Sequence, residues 1–217
     1  MRGNFHALVG ILLDIDNTLT RTSWSFFSGI AERFGVPAGE TVEGLYNRYH
    51  YSWRVPHWQT DETARWASEQ EWSNEFHAKM EAINGASDGV TALSKIVPVS
   101  AYVTTRPESM REVTAEWLSR HGFPDAPMMM RPSDILPKAG NQWKVEQIKA
   151  CLPNTFGLVD DHADIVRGLS NGYGGRVFHF SANQFVADSP KILPCSDWGE
   201  VVRVVERCKE SCTAIVV

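Results

Sequence analysis

The sequence predicts an α/β chain, a doubly wound parallel sheet with a small helical cap inserted after the first strand. An almost wholly apolar run at residues 8–13 ends in two acids, Asp14 and Asp16. That is the pattern of a central strand, covered on both faces, that opens onto a ligand site at its carboxyl end. From residue 88 onward, strand-like and helix-like stretches alternate, which favours parallel strands joined by helical crossovers. Between these two regions lies an insert of about 70 residues, far more than the dozen or so a parallel crossover needs.

Residues 8–13, LVGILL, place five apolar side chains in six positions without a helical stripe. Ionised carboxylates cannot stay in such a core, so Asp14 and Asp16 belong where the strand emerges. Side chains two apart on a strand project to one side, which lets both acids face one site. Like charges that close repel, and a hard divalent cation is the usual remedy. Two loop aspartates forming a turn would account for the same residues, so the rest of the chain has to decide.

Within the insert, Trp24, Phe27, Ile30, Ala31 and Phe34 form one helical stripe that Gly35 and Pro37 terminate. Residues 60–83 read as a second helical region, with Thr60 and Asp61 as N-caps and Ala64, Ala67, Trp72, Phe76 and Met80 as a broken apolar face. Five of the eight Trp lie here (Trp24, Trp53, Trp58, Trp66, Trp72), with Tyr46, Tyr49 and Tyr51 and the interleaved Arg48, His50, Arg54 and His57. Aromatic faces beside cations suit a planar anionic ligand such as a nucleotide, with Trp53 or Trp58 stacking on its base. A small helical unit also needs large side chains for its own core.

After the insert, helices are expected at 88–96, 108–121, 142–152, 163–169 and 198–208, and strands at 97–103, 128–130, 155–159 and 176–180. Three adjacent Met at 128–130 fill a buried strand more readily than they form a soft metal site. The apolar tail at 214–217 leaves an edge strand and a homodimer contact both open.

The 217 residues suffice for one core and a small accessory unit. Lys and Arg number 21 against 26 Asp and Glu, a formal charge of −5, which argues against a broad face for long nucleic acid but allows a local basic pocket. No apolar run of about 18 residues is present to span a membrane. A cleavable leader would remove the first strand and its acids, so the expected location is the cytoplasm. Cys151, Cys195, Cys208 and Cys212 lack metal-site spacing and read as reduced thiols.

Four segments, in order, resemble the motifs of the haloacid dehalogenase superfamily, in its capped phosphatase branch. They are the hydrophobic-DxDxT stretch at 8–20; VSAYVTTRP at 99–107, a strand ending in Thr104 with Arg106 behind it; Lys144 at the start of the helix NQWKVEQIKA; and FGLVDD at 156–161, a strand ending in Asp160 and Asp161. The resemblance covers residues 6–20 and 88–185. It implies a Rossmann-like sheet of order 5-4-1-2-3, a catalytic core at 1–20 and 86–217, and a helical cap at 21–85 that opens and closes over the site.

The same resemblance implies that Asp14 is a nucleophile forming an aspartyl phosphate and Asp16 the general acid and later base. Dehalogenases, which attack carbon, lack an acid at the second position, so Asp16 points to phosphoryl transfer. Mg²⁺ would take oxygens from Asp14, the Asp16 carbonyl and Asp161, with Asp160 as a helper or only a helix N-cap. Thr104 would bind the phosphate, with Thr105 able to exchange roles. Lys144 would neutralise charge, with Lys138 as its competitor. Arg106 and Arg131 are secondary phosphate ligands; the stretch 131–144 loosely resembles phosphatase domains of polynucleotide kinases. His162 reads as a loop residue. The expected activity is Mg²⁺-dependent hydrolysis of a small phosphomonoester, a nucleotide first, with a sugar or metabolite phosphate and a polynucleotide end as alternatives. A phosphotransferase and a catalytically silent binding module of the same fold are its rivals.

Overall fold

The computed structural model describes residues 10–152, 154–170, 172–181, 189 and 191–213. Side-chain alternation along β1 (Gly10–Leu13) sets the layers: Ile11 and Leu13 face one half of the core and Leu12 the other. On the first face pack α5 (Ala86–Ile96), α6 (Arg111–Arg120) and α9 (Trp198–Thr213), through Val90, Trp117, Trp198 and Val201. On the second pack α7 (Gly140–Ala150) and α8 (Ala163–Ser170), through Val145, Ile148, Ile165 and Leu169. Gly89 lets α5 approach α9, since an added Cβ would stand 2.6 Å from Trp198 Cβ.

The remaining strands are β2 (Val99–Pro107), β3 (Met128–Arg131), β4 (Thr155–Asp160), β5 (Arg176–Phe180) and β6 (Ile192–Cys195), all parallel in the order β3-β2-β1-β4-β5-β6. The expected 5-4-1-2-3 order is thus corrected by a sixth strand on the β5 edge. Four residues containing Pro194 give little strand signal, and proline is tolerated there because an edge strand need not donate on both sides. Residues 8, 9 and 214–217 of the expected β1 and tail lie outside the described residues, and so does the Cys212 side chain. Cys151, Cys195 and Cys208 are free thiols. Among the described residues no helix is long and apolar enough to cross a membrane.

The insert folds in two parts. Helices α1 (Thr22–Phe34), α2 (Val42–Tyr49) and α3 (Asp61–Glu71) enclose Phe27, Ile30, Leu45, Val55 and Trp58. Thr41 caps α2 and Thr60 caps α3, accepting from Gly44 N at 3.0 Å and Thr63 N at 3.2 Å. The helical region expected at 60–83 stops at Glu71, because Ser73 caps a separate short helix, α4 (Asn74–Ala78), by accepting from Phe76 N at 3.2 Å. Helix α4 keeps Phe76 on Phe26 and Trp66 but otherwise packs on α6: Ala78 joins Met110, Val113 and Met130, and the Trp117 indole donates to Met80 O at 2.8 Å. A short ribbon closes the insert, with Arg21 N donating to Glu81 O at 2.9 Å and Ile83 N to Leu19 O at 2.7 Å. Gly85, in the left-handed region at φ 76°, turns the chain into α5.

Candidate active site

Strands β1, β2 and β4 end at one edge of the sheet, and their register assembles the acids. Leu13 pairs with Val159, and Asp14 N donates to Val159 O at 2.9 Å, so Asp14 stands beside Asp160. From α7, Lys144 contacts Asp14 Oδ1 and reaches Asp160 Oδ2 at 2.8 Å; the lysine is 2% exposed. The Thr18 hydroxyl donates to Asp14 Oδ2 at 3.0 Å and lies 3.4 Å from Asp161 Oδ1. Asp14, Asp160 and Asp161 each offer a carboxylate oxygen within 4.8 Å of the others.

Burial pushes the Asp14 carboxyl up to about 7 against the pull of Lys144, and the charges of Asp160 and Asp16 add to the rise. Burial, with Asp14 and Asp160 beside it, likewise holds Asp161 well above the usual carboxylate range. Lys144 is driven the other way: burial would lower its pKa, but Asp14 and Asp160 together keep it raised and the ammonium protonated. Three hard oxygen donors close together, two of them sharing one lysine, suit a divalent cation such as Mg²⁺.

Asp16 belongs to a different environment. Three amides, those of Thr18, Leu19 and Thr20, converge on Ile15 O at 3.3, 2.8 and 3.0 Å. This turn begins directly after β1, so the two acids part instead of sharing the face that strand geometry would give them. Arg106 grips the Asp16 carboxylate with both ends of its guanidinium, Nη2 to Oδ1 at 2.7 Å and Nε to Oδ2 at 3.0 Å. Thr22 donates to Oδ1 at 2.6 Å and Thr104 to Oδ2 at 3.3 Å. Burial alone would raise this carboxyl; the Arg106 charge and hydrogen bonds outweigh it and hold Asp16 below the usual range. Asn17 takes the left-handed conformation at φ 59°, which asparagine tolerates, and its Oδ1 accepts from Ser23 N at 2.7 Å to fix the start of α1.

The other expected residues divide by position. Thr104 is buried at the end of β2, where its hydroxyl accepts from Arg106 N at 3.1 Å. Thr105 is half-buried in the cleft above. Lys138 is exposed on the turn before α7, away from the acids that Lys144 joins. Arg131 is buried and used by the backbone, donating to Thr105 O at 2.9 Å and to Ile135 O. Asp160 Oδ1 accepts from His162 N at 2.8 Å in the turn before α8, while Oδ2 pairs with Lys144. The His162 ring accepts from Asp164 N at 3.2 Å, as a loop residue would.

Sequence reasoning misses Thr18, Thr22 and His77. The threonine of DxDxT was in plain view for Thr18. Thr22 and His77 lie in the insert, where no local pattern marks them.

Among the described residues, two cavities of about 410 and 420 Å³ lie between the insert and the sheet, and both include Asn17, Ser23 and Tyr51. The first reaches Asp161 and His179, whose Nε2 lies 3.1 Å from Asp161 O. The second is lined by Asp16, Arg106, His77, Trp53 and Trp72. Trp58, the other expected stacking residue, is instead buried within the insert, its indole donating to Gly35 O at 2.9 Å.

No protein-family model and no curated protein matches the chain. Solved structures do. A dehalogenase with an intermediate complex is similar at a TM-score of 0.55 and 14% identity, over 91% of this chain and 97% of that one. A HAD-superfamily hydrolase, subfamily IA, from Geobacter sulfurreducens gives 0.52 and 15%, over 94% and 100%. A HAD family hydrolase from Deinococcus radiodurans, with bound phosphate and sodium, gives 0.50 and 13%, over 93% and 97%.

Proposed function

We propose that this chain, which has the fold of the haloacid dehalogenase superfamily, hydrolyses phosphomonoesters with Mg²⁺ through an aspartyl phosphate on Asp14. The observation that carries the reading is the buried Lys144, clasping Asp14 beside two further carboxylates at the carboxyl end of the central strand. A carboxylate cluster of this density is costly to fold and has no packing role. Asp14, Asp160 and Asp161 would hold the Mg²⁺, which when bound offsets the charge of the carboxylates and of the phosphate.

An oxygen of Asp14 attacks phosphorus in line, the bond from phosphorus to the ester oxygen breaks, and Asp16 gives that oxygen its proton. Lys144 balances charge on Asp14 and the transferring phosphoryl group, and Thr104 offers it a hydroxyl. Asp16, now ionised, takes a proton from a water that attacks the aspartyl phosphate. Inorganic phosphate leaves, and Asp14 is restored. Arg106 has a double part in this cycle. It keeps Asp16 ionised at rest, and an incoming phosphate that competes for the guanidinium frees Asp16 to bind a proton.

A carbon-attacking reaction needs no acid at position 16, and the three side chains spent on holding Asp16 favour phosphoryl transfer. The test is hydrolysis of acetyl phosphate and p-nitrophenyl phosphate with Mg²⁺, compared with Asp14→Asn. Turnover should need Mg²⁺ and fall by at least a thousandfold in the variant, and equal rates in the two proteins would remove Asp14 as nucleophile.

A further inference from the structure

Among the described residues, four large apolar side chains are exposed: Val36, Trp53, Trp72 and Leu136. Both tryptophans line the cavity that holds Asp16, at 66% and 47% exposure, and Leu136 adjoins Pro137, which lines it too. Large apolar faces left in water around one cleft mark a binding site. Each indole also has a backing partner. Tyr51 stacks on Trp53 with ring centroids 4.4 Å apart and planes at 19°, and the Arg131 guanidinium lies 5.5 Å over Trp72. A backed ring is a rigid platform whose remaining face can take a flat ligand at little entropic cost.

A second, independent observation lies deeper in the cleft. His77 is 5% exposed, lines the same cavity, and neither ring nitrogen makes a hydrogen bond of ordinary geometry. Burial and the nearby Arg106 keep the ring neutral, with its pKa down at about 4, so it presents one donor and one acceptor. With only the Glu71 backbone near it, outside ordinary hydrogen-bond geometry, this buried polar ring is under-satisfied, which is costly. A ligand with polar edges would satisfy it.

From these we infer that the cleft between cap and core is a nucleoside site, with the base on the Trp53 and Trp72 platforms and the polar edge of base or ribose on His77. Resting on the phosphomonoesterase reading, this makes the substrate a nucleoside phosphate. Flat rings with many donors and acceptors match both observations at once. A sugar phosphate would leave the indoles in water, and a phenolic ester would leave His77 unpaired. The cavity, about 420 Å³, falls in the range of roughly 300–1,000 Å³ typical of small-molecule sites. Free in solution or at the end of a strand, the nucleoside phosphate is recognised by the same chemistry.

Binding and turnover separate the two layers of the argument. Calorimetry of the wild-type chain with adenosine, guanosine, cytidine and uridine reads the base site alone, since nucleosides cannot be hydrolysed. At least one should bind with a submillimolar Kd, weakened about tenfold or more in Trp53→Ala and in Trp72→Ala. For turnover, the ratio of kcat/KM for the matching mononucleotide to that for acetyl phosphate should fall at least tenfold in each variant, whereas a structural defect lowers both substrates alike. His77→Asn should keep more nucleoside affinity than His77→Leu. Absence of nucleoside binding at millimolar concentration, an unchanged ratio in both tryptophan variants, or a tenfold preference for sugar phosphates or pyridoxal 5′-phosphate overturns the inference. Nucleoside binding without turnover of any ester would overturn the phosphatase reading and leave the site standing. A phosphorylated oligonucleotide compared with the mononucleotide identifies the source.

Discussion

Replacing Asp14 by Asn should stabilise the metal-free protein while abolishing its turnover. In the folded chain burial raises the Asp14 carboxyl from 3.8 to about 7, so the folded state holds this proton more tightly than the unfolded chain does. The associated stability is fully present below about pH 4 and is lost as the pH rises through about 7. Roughly three pKa units at 1.36 kcal/mol each put the cost of ionising Asp14 at about 4 kcal/mol. Asparagine imitates the protonated acid at every pH. In EDTA at pH 8 the variant should therefore exceed wild type by up to about 4 kcal/mol, and the gap should close toward pH 4.5. Urea unfolding at pH 4.5, 6 and 8 measures it. Mg²⁺ should then restore the wild type, by about 2.7 kcal/mol at a hundred times its Kd, and the variant by less. A variant less stable than wild type at pH 8 without metal, or a gap that ignores pH, would refute the charge-crowding argument.

Arg106→Ala leaves Asp16 buried beside its hydroxyl partners without a counter-ion. Asp16 keeps 23% of its side chain exposed, so urea unfolding at pH 7 should show a loss of about 3 kcal/mol, the low end for a broken buried pair. The Asp16 pKa is lowered in the folded state, so its stabilisation holds above about pH 4 and fades below; in the variant that acid-side loss should disappear. Trp58→Ala opens the cap core and should cost about 3–5 kcal/mol, while Trp53→Ala should stay within about 0.5 kcal/mol, as differential scanning of the two variants would reveal. Gly89→Ala forces a methyl to within 2.6 Å of Trp198 Cβ and should cost about 1–3 kcal/mol in the same assay.

The sheet and its acids were legible because apolar runs fix where buried strands end, and an acid after such a run has one place to go. Asp14, Asp160, Asp161, Thr104 and Lys144 all meet at that edge. What the chain hid is of three kinds. Strand β6 is four residues with a proline, too short for a period to register. The apolar face of 60–83 runs on through Trp72, yet a single hydroxyl, Ser73, caps a new helix there and turns α4 toward α6. The partnership of Asp16 with Arg106 joins residues 90 apart in sequence, and no local rule reaches that far. Trp53 and Trp58 show the limit of composition. They lie five positions apart in two short 3₁₀ turns, one facing the cleft and the other filling the cap core, and irregular backbone gives no period from which to tell them apart.

Asp16 is also where cap and core meet. Its carboxylate takes a hydrogen bond from Thr22, the first residue of α1, and two from Arg106 on β2. Met80 Sδ stands 3.6 Å from the Thr22 hydroxyl and 3.8 Å from Arg106 Nη2. Helices α1 to α3 of the insert have their own core and join the sheet through the ribbon at 19–21 and 81–83, whereas α4 bridges the two, Phe76 packing on Phe26 and Trp66 while Ala78 and Met80 meet α6. Among the groups that keep the Asp16 pKa low, Arg106 acts more strongly than Thr22, so the ionised form at rest is held mainly from the sheet. In the proposed reaction the proton on Asp16 therefore depends on what competes for Arg106, and the residue that must alternate between acid and base is the one held jointly by the insert and the sheet.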